Sequence, residues 1–65
     1  MTNTSVIALL NTKKAELYKK RDRYADYLAK EPTPYSIAAL YYWGQQVAIV
    51  EQIDLLDDLL IELNK

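Results

Sequence analysis

The sequence predicts an all-α protein: a two-helix antiparallel hairpin, with helices over about 5–30 and 34–63, forming a single domain across residues 1–65. Three observations carry that expectation. The only strong punctuation is Glu31-Pro32-Thr33-Pro34, and each proline biases its predecessor away from helical backbone. Apolar residues on both sides of it recur at helical spacing. No other Gly or Pro cluster interrupts either half, and the lone Gly44 costs a helix only about 1 kcal/mol.

The first helix is expected to begin at Thr4 or Ser5. Asn11-Thr12 offers a rival cap, but it would put Lys13 and Lys14 in a first turn, where cations oppose the helix dipole. A continuous helix is therefore favoured. Leu10, Leu17, Tyr24 and Leu28 line its inner face, with Ile7, Tyr18 and Ala25 at the edge. The second helix is expected to use Thr33 as its N-cap and Pro34 as its first residue, where a missing N–H is no loss. Ile49, Ile53, Leu56, Leu60 and Leu63 then follow the 4-3-4-3 spacing of a coiled-coil seam. A turn centred between Pro32 and Thr33 sets Leu28 near Ala38, Tyr24 near Tyr42, Leu17 near Ile49 and Leu10 near Leu56.

A chain of 65 residues is marginal as an isolated fold, because it buries only about 60% of its unfolded surface. Small domains compensate with disulfides, metals or association. This one has neither Cys nor His, which removes the disulfide route and argues against zinc. Association is the remaining route, and dimerisation of the hairpin into a four-helix bundle is the expected form. The start lacks a basic n-region, and the longest apolar run, Ile37 to Gly44, falls far short of the roughly 20 residues a membrane span needs. The expectation is a cytoplasmic protein with no membrane partner, of the size common among bacterial and phage small proteins.

Charge is segregated. Residues 1–33 hold Lys13, Lys14, Lys19, Lys20, Arg21, Arg23 and Lys30 against Glu16, Asp22, Asp26 and Glu31. Residues 34–65 hold Lys65 against Glu51, Asp54, Asp57, Asp58 and Glu62. A basic helix beside an acidic one favours their pairing. Ile7, Lys14, Arg21 and Leu28 are spaced by sevens, so two cations fall on the apolar side of helix 1. They must snorkel or reach carboxylates of helix 2 or of a second subunit.

Function reads as non-catalytic binding. The first half of helix 2 is apolar nearly all round, and a single partner helix covers one stripe only. The surplus residues Leu40, Tyr41, Tyr42, Trp43, Val47 and Val50 form a candidate protein interface, rich in the aromatic types that anchor such contacts. Glu51, Asp54, Asp58 and Glu62 form an acidic face whose like-charged neighbours weaken the helix, which fits a basic partner or a merely solvated face. The expected partners are a second copy, with a dimer favoured, or a larger protein, making the chain a small regulator, inhibitor or adaptor. A homodimeric nucleic-acid-binding regulator using Lys13, Lys19, Lys20, Arg23 and Lys30 is the alternative. The acidic pI, near 5.2, weighs against it. A structural bundle-forming subunit is the second alternative. Without His or Cys, and with one Gly, the sequence offers no nucleophile–base pair and no phosphate loop, so no enzyme, cofactor, metal or small-molecule substrate is expected.

Overall fold

The computed structural model describes residues 3–65. It contains α1 (Asn3–Lys30) and α2 (Ile37–Leu63), packed against each other as a hairpin. The helices have 28 and 27 residues, so they match in length and the molecule is a rod of 48 × 15 × 13 Å.

α1 runs unbroken through Asn11-Thr12. The Thr12 hydroxyl donates to the Ala8 carbonyl at 3.0 Å, back-bonding to the preceding turn instead of capping a new helix. At the far end, Lys30 lies in the last turn, where a cation suits the helix dipole, and the Glu31 N–H still reaches the Leu28 carbonyl.

The start of α2 differs from expectation. The helix begins at Ile37, three residues after Pro34, and its N-cap is Ser36 in place of Thr33. The physical reason is the turn Thr33-Pro34-Tyr35-Ser36. The Ser36 N–H donates to the Thr33 carbonyl at 3.3 Å, with proline second and Tyr35 third at φ 63°. That is the type II pattern, which ordinarily has Gly or Asn at its third position. The Ser36 backbone is extended (φ −64°, ψ 162°), and its hydroxyl accepts from the Ala39 N–H at 3.0 Å. The same hydroxyl donates to Glu31 Oε1 at 3.2 Å, tying the end of α1 to the cap of α2. Asn64 closes the other end: its side-chain amide donates to the Leu60 carbonyl at 2.8 Å.

With residues 31–36 forming the connection, its centre lies between Thr33 and Pro34, one residue later than expected. Leu28 therefore shares a groove with Ala39, and Ala39 is buried while Ala38 is only half-buried. Tyr24 still meets Tyr42, with ring centroids 6.2 Å apart.

The seam reads as heptads along both helices. Ile7, Leu10, Lys14, Leu17, Arg21, Tyr24 and Leu28 are the half-buried positions of α1 at alternating 3-4 spacing. In α2 the same spacing joins Ala39, Tyr42, Gln46, Ile49, Ile53, Leu56, Leu60 and Leu63. Among the described residues only Ala39, Ile49 and Ile53 are buried, all of them on α2. Polar residues at Lys14, Arg21 and Gln46 take up seam positions that Leu or Ile would fill in a longer coiled coil. Among the described residues, no helix is long and apolar enough to cross a membrane.

Candidate protein-binding face

Helix geometry separates the surplus apolar residues of α2 into two groups. At 3.6 residues per turn, Tyr41 and Trp43 point about 200° apart, so they flank the seam on opposite sides. Leu40, Trp43, Val47 and Val50 follow 3-4-3 spacing on one flank, each displaced by one residue from the seam. All four are exposed, Trp43 at 60%.

On that flank the surface is concave. Leu28, Pro34, Tyr35, Ala39, Leu40 and Trp43 line a groove of about 340 Å³ at the turn end of the hairpin. Trp43 also lines a second hollow of about 370 Å³ with Arg21, Gln46, Val47, Val50 and Glu51. The indole is thus the wall that the two hollows share, one at the turn end and the other toward the middle of the rod. Tyr35 is held at its mouth by the left-handed backbone of the turn and is 86% exposed.

The opposite flank is a tyrosine cluster. Tyr27 and Tyr42 lie 5.4 Å apart, and Tyr24 packs edge-on to Tyr27 and Tyr41 at 6.0 and 6.2 Å. Edge-to-face rings at these distances gain from their quadrupoles beyond simple burial. Tyr42, placed by its sequence neighbours among the surplus residues, is half-buried here and belongs to the seam. The Tyr24 hydroxyl, as hydrogen-bond partner and then by charge, raises the Tyr41 phenol above its usual value, and Lys20 acts weakly in the other direction. Exposed Leu55 and Leu59 continue this flank two heptads or more beyond Tyr41.

The cations of the seam are resolved in two ways. Lys14 pairs with Asp57 across the helices, and the carboxylate's hydrogen bond raises the ammonium's pKa. Arg21 instead pairs with Asp22 of its own helix at 3.2 Å and lies over the Tyr18 ring at 4.8 Å. Its charge is held at the rim of the apolar depression by a cation–π contact and a local carboxylate.

The acidic face runs along the outer side of α2. Glu62 pairs with Lys65 at 2.9 Å, while Glu51, Asp54 and Asp58 are exposed and take part in no ion pair among the described residues. Of the basic set, Lys13 pairs with Glu16 at 3.7 Å and Lys30 with Asp26 at 2.9 Å, the latter raising the lysine's pKa. Lys19, Lys20 and Arg23 have no ion-pair partner among the described residues. Among those residues no acidic cluster of three or more converges as a metal site would require.

No family model matches the chain, and no curated protein or solved structure is significantly similar to it.

Proposed function

We propose that this chain is a non-catalytic protein-binding module, a small regulator or adaptor whose working surface is the depression walled by Trp43. The hairpin is then one half of a larger helical bundle, and its acidic outer ridge is a secondary surface that orients the partner. One observation carries the reading. Two neighbouring hollows that share the Trp43 indole, mostly apolar in their lining, lie open on a rod that buries only three side chains among the described residues. Contiguous apolar surface of this kind marks an interaction site, whereas scattered exposed Leu or Val does not.

The test is site-specific photo-crosslinking in cells of the native host. A photoreactive residue at Val47 should form a discrete protein adduct, and one at Asp26, on the outer side of α1, should not. Equal labelling at both positions, or none at Val47, overturns the reading.

A second reading has an observation of its own. Lys20 neighbours Tyr41, whose ring and that of Tyr27 are exposed, and Lys19, Lys20 and Arg23 have no ion-pair partner among the described residues. Cations interleaved with open aromatic faces suit a single-stranded nucleic acid, by phosphate contact and base stacking. Titration with mixed-sequence single strands at low salt decides it: binding that weakens steeply with salt supports this reading, and no binding rejects it.

A further inference from the structure

We infer that the occupant of the Trp43 face is a second copy of this chain, docked antiparallel through α2 about a two-fold axis near Gln45. The inference rests on the protein-binding reading above and names its partner.

Three features of the molecule point to it. The first is area. A compact monomer of 7.5 kDa exposes about 4,200 Å². This chain exposes 4955 Å², an excess of roughly 700 Å². One partner in a standard interface contributes about 800 Å², so the excess is close to what one protomer brings to a dimer. The radius of gyration agrees: it is 15.0 Å, against about 11 Å for a compact chain of this length.

The second is symmetry of the patch. Leu40, Trp43, Val47 and Val50 are placed evenly about residue 45. An antiparallel two-fold there sets Leu40 against Val50 of the other copy and Trp43 against its Val47. Apolar side chains of the stripe then meet apolar side chains over its full length, with Arg21 and Glu51 at its edge.

The third is charge complementarity at its ends. Asp54 continues the stripe beyond Val50 and is exposed. The same two-fold brings it to Ser36 of the other copy, at the start of that copy's α2. The first turn of α2 contains no acidic residue of its own, although a helix N-terminus favours negative charge. Asp54 then lies by the N–H groups of that first turn, next to the Glu31 carboxylate that already accepts from the Ser36 hydroxyl. A parallel arrangement would instead place Asp54 against Asp54, which repels.

Because the chain has no cysteine, introduced ones report geometry cleanly. Leu40→Cys and Val50→Cys variants of the full chain would be oxidised alone and as an equimolar mixture, after sedimentation equilibrium of the unmodified protein. The expected result is a mass twice 7.5 kDa, with disulfide-linked dimer forming in the mixture only. In the antiparallel pair, two copies of position 40 lie about 15 Å apart along the axis, too far to bridge. Crosslinking of Leu40→Cys with itself overturns the antiparallel arrangement. A 7.5 kDa species at tens of micromolar overturns the second copy as occupant. In that case a Val47 photo-adduct to a different protein would leave the binding role intact, and absence of any adduct would remove both.

Discussion

Tyr35 holds a backbone conformation that L-residues other than Asn and Asp seldom adopt, with φ at 63° and its ring almost wholly in solvent. Left-handed backbone costs a residue with a Cβ about 1–2 kcal/mol, and glycine is free of that cost while losing more chain entropy on folding. Tyr35→Gly should therefore stabilise the isolated fold by roughly 0.5–1 kcal/mol in urea titrations. The same substitution strips one wall of the groove, so association should weaken while stability rises, which no merely structural tyrosine would show. Titration supplies another residue-scale test. Lys14 and Lys30 have pKa values raised from 10.5, and Tyr41 from 10.0. For all three the sign is the same: their contribution to stability is complete below the unfolded pKa and is lost as pH rises through the folded one. The thermal midpoint should hold from neutral pH to about 10 and fall above it. Lys14→Met should flatten that fall by removing the cross-helix pair, and a fall as steep in the variant as in the parent would contradict the Lys14–Asp57 contact.

Each helix is set by local signals of different legibility. The seam periodicity, the end of α2 and the continuity of α1 follow from spacing and charge, and all were readable. The start of α2 was not, because Thr33-Pro34 and Ser36 are both sound caps by residue type. The choice between them depends on Tyr35 accepting a left-handed turn and on Glu31 reaching the Ser36 hydroxyl, which only the closed hairpin brings together. Ser36→Ala should cost about 1 kcal/mol of stability, whereas Thr33→Ala, outside the cap, should cost a few tenths. Equal effects would mean that the helix starts earlier in solution. Similarly, the sevenfold spacing of Lys14 and Arg21 announced cations in the seam, but not their different fates. Asp57 is within reach of Lys14 because the antiparallel register puts both on one flank, while Tyr18 and Asp22, three and one residues away, satisfy Arg21 locally. Gly44 is a plainer case: a Cβ there meets nothing within 4 Å, so Gly44→Ala should add about 0.5–1 kcal/mol of helix stability.

At the scale of the whole molecule the question is what the three side chains buried among the described residues can sustain. Two of them, Ile49 and Ile53, sit one turn apart at the centre of α2, and truncating a buried Ile to Ala costs about 2–5 kcal/mol. A hairpin whose surface is this exposed has little margin for that loss, so Ile53→Ala should be largely unfolded at low concentration. Association changes the arithmetic. If folding is coupled to docking of the Trp43 face, stability depends on protein concentration, because each copy is a ligand that binds only the folded state of the other. The thermal midpoint should then rise steadily with concentration from low to high micromolar, and Ile53→Ala should regain helicity at the upper end. Trp43→Ala supplies the discriminating comparison. Its side chain is outside the seam, so at low concentration the variant should melt like the parent, while its midpoint should no longer rise with concentration. A parent midpoint that stays fixed would show that the hairpin folds alone. Loss of helicity in Trp43→Ala at all concentrations would instead place the indole inside the hairpin's own core. The division of α2 into a seam, an apolar groove and an acidic ridge thus becomes a division of labour that melting curves alone can read.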